Sequence, residues 1–172
     1  MFSVVSWNVN SIRARLDDLK QFLSTHKPDF LALQETKVTD ELFPHDEIEG
    51  YQIYTSGQPS YNGVAWLTKH PVSLVSDTLE GFSEQKRWIC IQYKEWVLIN
   101  VYVPNGESLE SDKYNYKLGW LEKMNETVRQ FKDQRLLICG DFNIAPMDLD
   151  VHDPKIWCNK VIVSDPERHL WN

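Results

Sequence analysis

The alternation of apolar and polar residues along the chain predicts a mixed α/β fold. Apolar residues at helical spacing over 12–23 predict a first helix, capped by Ser11 and followed by Pro28. A second helix is predicted over 112–132. Strands are predicted over the apolar runs 2–9, 30–33, 51–55, 63–68, 72–75, 88–93, 96–103 and 136–139. This order favours hairpins mixed with crossover helices over a regular βαβ array.

Chain length and composition are those of a single ordinary domain. The 172 residues are 42% hydrophobic, which is enough for one packed core over 1–172. No apolar run approaches the ~20 residues of a membrane-spanning helix, and the N-terminal residues lack the pattern of a secretory signal. Three cysteines without CxxC spacing, Cys90, Cys139 and Cys158, are expected to be reduced. We therefore expect a cytoplasmic protein.

The net charge limits how the chain can bind nucleic acid. A formal charge of −7 argues against a protein that coats DNA or RNA by bulk electrostatic attraction. It leaves room for a local basic groove or for an acidic pocket that binds a divalent cation. None of the five histidines has ligand-like spacing to another histidine or to a cysteine, so a zinc site is not indicated.

Polar side chains end four of the predicted strands, where burial does not explain them. The four segments read SWNVN, LQETK, NVYVPNG and GDFN. Strand alternation predicts that Asn8 and Asn10 share one face, as do Asp141 and Asn143. Carboxylate and amide oxygens are ligands that Mg²⁺ prefers. A single such pair is more often a turn former or a helix cap, but four in one chain favour a site that binds a metal and a phosphate.

Five segments of the chain resemble the exonuclease III / AP endonuclease family. They are WNVNSIRARL, LALQETK, YNGVAWLTK, NVYVPNG followed by KYNYKLGWL, and GDFNIAP, and they occur in the family's order and spacing over 1–154. The family is part of the endonuclease/exonuclease/phosphatase superfamily. The QE and GDxN motifs are shared across that superfamily, whereas QETK and YVPNG favour its DNA-repair branch over an inositol phosphate or sphingomyelin hydrolase.

The resemblance implies a fold and a set of site residues. The fold is a four-layer α/β sandwich of the deoxyribonuclease I-like type. Glu35 is expected to bind Mg²⁺, or Mn²⁺ as a substitute, with Asn8 in the metal shell. Asp141 is expected to orient or deprotonate the attacking water, while Asn143 and Tyr102 hydrogen-bond the scissile phosphate. Hydrolysis of a phosphodiester needs an aligned nucleophile, together with a cation and donors at the non-bridging oxygens.

The resemblance also implies a substrate and its contacts. The expected activity is cleavage of duplex DNA 5′ of abasic sites and at 3′ ends. Loops expected to border the DNA contain Arg13, Lys37, Tyr61 and Asn105. Cations at such positions contact phosphates without reading sequence. Arg15 is as consistent with a solvated helix face as with a DNA contact, and Lys117 and Lys123 are expected on the surface of the second helix.

One departure from the family bears on activity. The family continues with a segment that carries a second aspartate and with a Ser-Asp-His segment, whereas here Ser164-Asp165 is followed by Pro166. We therefore expect a C-terminally truncated domain that holds only the N-terminal sheet, its helices and the start of a second sheet. An uncovered sheet face would favour association in a family otherwise expected to be monomeric. The alternative function is a catalytically incomplete fragment that at most binds metal, or DNA weakly.

Overall fold

The chain folds into two compact units, and residues 1–171 are described by a computed structural model. The first unit comprises Met1–Tyr102 and Phe131–Asp141, and the second comprises Val103–Gln130 and Phe142–Asn172. Within residues 1–171, all eight strands belong to the first unit, and they form two four-stranded sheets.

The first sheet is built around a parallel pair of strands joined by a helix. Its strands are β1 (Val4–Asn8), β2 (Phe30–Gln34), β3 (Gln52–Ser56) and β4 (Val64–Thr68), in the spatial order β1-β2-β4-β3. Strand β1 pairs parallel with β2, and the other pairs are antiparallel. Helix α1 (Leu16–His26) connects β1 to β2. It places Leu19 and Leu23 in a core cluster with Leu31 and Leu33 of the sheet.

Helix α1 begins later than the sequence predicts. Ser11 has φ 95, in the left-handed region, and its hydroxyl accepts a hydrogen bond from the Ala14 backbone N–H at 3.4 Å. Ser11 therefore closes a turn before the helix and is not its N-cap. An N-cap residue has extended backbone angles, which φ 95 excludes.

The second sheet is larger than the sequence predicts. It contains β5 (Ser73–Ser76), β6 (Trp88–Tyr93), β7 (Trp96–Tyr102) and β8 (Arg135–Asp141), in that spatial order. The expectation of only the start of a second sheet is therefore wrong. Periodicity locates strands but does not identify their partners. The chain leaves the first sheet after β4, and β5 then pairs with β6 at the edge of the second sheet.

The two sheets pack face to face and cover each other's inner faces. Their shared core consists of residues with no exposed surface: Phe30, Ala32, Val64, Trp66, Ile89, Ile91 and Leu98. The predicted uncovered face of the first sheet is therefore absent. The chain therefore has no uncovered sheet face between residues 1 and 171 that would favour its association.

A pair of buried amides joins the two sheets. The Gln34 Nε2 donates to Asn100 Oδ1 at 2.7 Å. The Asn100 Nδ2 donates to the backbone oxygens of Leu33 and Ala65, at 2.9 Å each. Both residues are essentially unexposed, so these bonds satisfy groups that would otherwise be costly to bury. The polar ends of β2 and β7 are thus partly structural.

The second unit is helical. Helix α2 (Asp112–Arg129) begins at Ser111, whose side chain accepts from the Lys113 N–H, and it ends near the predicted boundary. Two short helices follow, α3 (Pro154–Trp157) and α4 (Asp165–Trp171), and α4 packs on α2. Within residues 1–171, no helix combines the length and the apolar character that crossing a membrane requires.

Asp29 ties the start of β1 to the end of β4, which predicts an acid-sensitive contribution to stability. Its carboxylate accepts from the Ser3 backbone N–H and hydroxyl, at 2.8 and 2.9 Å, and lies 2.9 Å from His70 Nε2. The Ser3 backbone bond, helped by His70, lowers the pKa of Asp29 to about 2. A depressed folded-state pKa stabilises the protein above the unfolded value and loses that effect as pH falls toward 2.

We therefore expect Asp29→Asn to lower the melting temperature at pH 7, with a deficit that shrinks as pH falls below about 4. Thermal unfolding between pH 7 and pH 3 measures this. Asp133→Asn, on an exposed turn, is the matched control and should change little at any pH. A deficit for Asp29→Asn that is independent of pH would show that the ionised carboxylate is not the stabilising group.

Candidate active site

Three polar side chains meet where β1, β2 and β8 end. The Asn8 Nδ2 donates to Glu35 Oε1 at 2.8 Å and to Asp141 Oδ2 at 2.9 Å. One amide group thus bridges two carboxylates, although Asp141 lies 133 residues beyond Asn8 in the chain. The two carboxylate oxygens are separated by no more than the sum of two hydrogen-bond lengths. They are close enough to act on one bound group.

Backbone conformation brings Glu35 into this cluster. Asn8 pairs with Gln34 across the parallel strands, and Glu35 then leaves β2 with φ 55. A left-handed conformation is unfavourable for a non-glycine residue, and such residues are concentrated at functional sites. The adjoining loop requires a glycine at Gly63, where a Cβ atom would lie 2.1 Å from Thr36 Oγ1. The Thr36 N–H donates to the Gly63 carbonyl at 3.1 Å, which holds the loop in place.

Three donors keep Glu35 ionised. Partial burial raises the pKa of Glu35, but hydrogen bonds from Asn8, Lys37 and Tyr102 outweigh it and leave the pKa below its usual value. The Lys37 Nζ lies 3.0 Å from Glu35 Oε2, and it also donates to Asn10 Oδ1. Glu35 is therefore a carboxylate throughout the neutral range, with one cationic neighbour.

Tyr102, the last residue of β7, is a neutral donor at this site. Burial, followed by the charge of Glu35, raises the pKa of Tyr102 to about 12, with Arg87 acting in the opposite direction. The Arg87 guanidinium lies 4.4 Å from the Tyr102 ring centre, and its Nη1 donates to the Tyr102 backbone oxygen at 3.2 Å. Arg87 is not among the residues predicted from the sequence. Only the pairing of β6 with β7 brings it beside Tyr102, because the Tyr102 N–H donates to the Arg87 carbonyl at 2.8 Å.

Asn143 lies in the second unit, two residues beyond Asp141. Its Nδ2 donates to the Val103 carbonyl at 2.9 Å, and its Oδ1 accepts from Asn105 Nδ2 at 3.4 Å. Because β8 ends at Asp141 and Asn143 has φ 47, the strand-alternation argument for this pair does not apply. The same correction holds for Asn10, which lies beyond β1 with φ 46.

The residues predicted to contact DNA differ in exposure. Arg13 is exposed on the turn after β1, Tyr61 is 71% exposed, and Asn105 is exposed in the second unit. Lys37 is only partly exposed and is engaged by Glu35. Arg15 precedes α1, within 4.0 Å of Asp18 on the exposed face of that helix.

Lys117 is not on the surface of the second helix, so that expectation is wrong. Its side chain has no exposed surface, and its Nζ pairs with the equally buried Glu167. Lys117 is in phase with the buried residues Tyr114, Leu121 and Met124 of α2. This helical phase could have indicated that Lys117 is buried. The prediction missed it because only apolar residues were counted on the buried face. Lys123 is partly exposed and pairs with Glu126 at 3.1 Å.

The donor set around Asn8 fits a hard divalent cation. It offers two carboxylates, oxygen ligands of the kind that Mg²⁺ binds while keeping several waters, joined by the Asn8 amide. Among residues 1–171, no three acidic, histidine or cysteine side chains form a cluster, so a cage made wholly of such side chains is not present. The Asn8 Oδ1 accepts the Asn10 N–H at 3.0 Å, so in this arrangement Asn8 orients the carboxylates through its NH₂ group.

Two carboxylates held at one sheet edge are a donor set suited to a metal-assisted hydrolase, and comparison with known proteins identifies the family. Residues 5–157 match the Endonuclease/Exonuclease/phosphatase family, and the chain belongs to this family. Exodeoxyribonuclease III of Haemophilus influenzae is 35% identical over 97% of this chain and 68% of its own length.

Solved structures agree with the family assignment. The Neisseria 3′ phosphatase NExo, bound to a product DNA hairpin, matches with a TM-score of 0.94 and 36% identity, over 99% of this chain and 69% of that chain. An AP endonuclease from Archaeoglobus fulgidus matches with a TM-score of 0.93 and 35% identity, over 99% of this chain and 68% of that one. The predicted fold class is confirmed, and the chain is a hydrolytic nuclease by family.

Proposed function

We propose that this chain is a Mg²⁺-dependent DNA-repair nuclease that hydrolyses phosphodiesters 5′ of abasic sites and at 3′ ends of duplex DNA. The observation that supports it is the Asn8 amide shared by Glu35 and Asp141, with Tyr102 hydrogen-bonded to the same glutamate. The relatives named exodeoxyribonuclease III and AP endonuclease, and the 3′ phosphatase solved with a DNA hairpin, favour DNA as the substrate.

Each residue of the site has a distinct task in this proposal. Glu35, with Asn8 beside it, would hold Mg²⁺ or Mn²⁺, which would supply positive charge to the non-bridging phosphate oxygens. Asp141 holds the attacking water and accepts its proton. Tyr102 has a pKa of about 12, so its hydroxyl stays protonated. It donates a hydrogen bond to the scissile phosphate without adding charge. Asn143, two residues after Asp141 in the chain, donates its amide to the phosphate.

DNA binding is assigned to local groups because the chain as a whole is acidic. With a net charge of −7, attraction to the DNA backbone has to come from individual side chains. We assign phosphate contacts to Arg13 and Asn105 and a contact with the duplex to Tyr61. Lys37 forms an ion pair with Glu35. In this proposal its positive charge adds to that of the metal ion near the cleaved bond. We propose a cytoplasmic monomer.

The proposal is tested by offering the purified 172-residue chain three substrates: an end-labelled abasic duplex, a duplex with a recessed 3′ end, and a small phosphomonoester. We expect incision 5′ of the abasic site and shortening of the 3′ end, both stopped by EDTA. Release of phosphate from the small ester alone would indicate another phosphoesterase. Metal or DNA binding without cleavage would favour the catalytically incomplete alternative.

Tyr102→Phe removes one donor while keeping the ring that Arg87 contacts. We expect kcat on the abasic duplex to fall by roughly 10²-fold, the usual cost of losing one hydrogen-bond donor to the transition state. The Mg²⁺ concentration for half-maximal rate should change little, since Glu35 and Asp141 remain. Tyr93→Phe, at the end of β6, is the control. Wild-type kcat in Tyr102→Phe would remove Tyr102 from the reaction.

A further inference from the structure

A buried ion pair inside the second unit has no part in the chemistry proposed so far. Lys117 of α2 and Glu167 of α4 are both fully buried, and the Lys117 Nζ contacts Glu167 Oε1. Burying two charges is expensive, and a well-packed apolar pair of similar volume is often as stable or more so. Stability alone therefore gives a weak reason for this pair.

The contacts of the ammonium group indicate a different role. Lys117 Nζ donates to the Asn143 backbone oxygen at 2.6 Å and to the Asn105 backbone oxygen at 3.2 Å, in addition to its contact with Glu167. An ammonium has three N–H donors, and these contacts place two backbone carbonyls and one carboxylate within their reach. The two carbonyls belong to the two residues whose carboxamides we assign to phosphate contacts.

Glu167 fixes the position of the lysine. Its Oε1 accepts the Ile162 N–H at 3.1 Å, and its Oε2 accepts the Ser164 N–H and hydroxyl at 3.1 and 2.7 Å. The Ala145 N–H donates to the Ile162 carbonyl at 2.7 Å, which ties the Asn143 loop to the same segment. The ion pair is therefore anchored to the 162–164 turn, to which the Asn143 loop is also hydrogen-bonded.

The two loops need such support because neither continues a strand. Gly106 has φ 95, and a Cβ atom there would lie 3.2 Å from the Lys117 side chain, so the loop packs closely on the lysine. Asn143 has φ 47, and its Oδ1 accepts from Asn105 Nδ2 at 3.4 Å. An apolar side chain at position 117 would fill the space but donate to neither carbonyl.

We propose that the Lys117–Glu167 ion pair is a positioning device that holds the backbones of Asn105 and Asn143 so that both carboxamides are presented to one DNA phosphate. The inference rests on the proposed function, since it assigns those two carboxamides to the phosphate. Lys117 acts through the two loops and does not touch the substrate.

The test compares wild type with the neutral variant Lys117→Met/Glu167→Gln, which leaves no buried charge unpaired. We expect kcat on the abasic duplex to fall roughly 10- to 100-fold, the range in which small misplacements of catalytic groups reduce rates. The Mg²⁺ concentration for half-maximal rate should stay unchanged, because Asn8, Glu35 and Asp141 are not substituted. Hydrogen exchange should become faster at backbone amides of 105–108 and 143–145. The control is Lys123→Met/Glu126→Gln, which removes the partly exposed pair on the same helix.

The outcomes separate this inference from the function on which it rests. Reduced kcat with faster loop exchange supports the positioning role, provided both are measured well below the melting temperature. Wild-type kcat, or unchanged exchange in both loops, overturns it. If the wild-type chain does not cleave the duplex, the proposed function fails, and loop exchange alone decides whether Lys117 holds the two backbones. Loss of kcat equal to that of the control pair also overturns the inference.

Discussion

Replacing Glu35 by glutamine is expected to abolish Mg²⁺-dependent cleavage, with kcat falling by about 10³-fold or more. The substitution keeps the side-chain shape and an acceptor for Asn8, whose amide lies 2.8 Å from Glu35 Oε1. It removes the negative charge that attracts a divalent cation and that Lys37 balances at 3.0 Å. The expected loss is therefore electrostatic and not a consequence of misfolding.

Single-turnover cleavage of an abasic duplex and calorimetric titration with Mn²⁺ measure the effect of Glu35→Gln. Both the rate and the heat of metal binding should be lost, while the melting temperature without metal stays near that of wild type. Glu49→Gln, on an exposed segment, is the matched charge control and should retain both. Cleavage by Glu35→Gln within tenfold of wild type would show that the metal is bound elsewhere.

Lys117→Met alone is expected to destabilise the protein by about 3–5 kcal/mol, because it leaves the Glu167 carboxylate buried without a countercharge. Urea unfolding followed by far-UV circular dichroism measures this loss. The neutral double variant Lys117→Met/Glu167→Gln should recover most of it, since no unpaired charge remains.

The surface pair Lys123 and Glu126 provides the comparison. Glu126 is largely exposed, so breaking this pair with Lys123→Met should cost about 1 kcal/mol or less. An equal cost for Lys117→Met and Lys123→Met would contradict the burial argument. A double variant at 117 and 167 that is as unstable as the single one would show that packing, and not charge, limits stability there.

Local sequence pattern was sufficient to place the strands and the long helix α2, but it missed the short helices α3 and α4 and set the start of α1 too early. The limits of β6 match the prediction at both ends, and α2 starts where predicted, because apolar runs and a serine cap mark those positions. Which strands share a sheet was not predictable in the same way. The separation of β4 from β5 depends on packing between distant segments, such as Trp66 against Ile89.

The site was partly predictable, because some of its residues are marked by local sequence and others are not. Polar residues at strand ends suggested a common edge, and the structure brings Asn8, Glu35 and Asp141 together there. The catalytic and metal-binding roles assigned to them stay predictions. Arg87 and Glu167, by contrast, give no local sequence signal. Arg87 reaches Tyr102 across a strand pair, and Glu167 reaches Lys117 across two helices.

The most direct test of the account is a double-mutant cycle on single-turnover cleavage of an abasic duplex, using Glu35→Gln, Asp141→Asn and the combined variant. If both carboxylates serve one metal-assisted hydrolysis, each single change is severe and the combined variant is hardly slower than the worse single one. Effects that multiply, or wild-type cleavage by Asp141→Asn, would contradict a single site centred on Asn8.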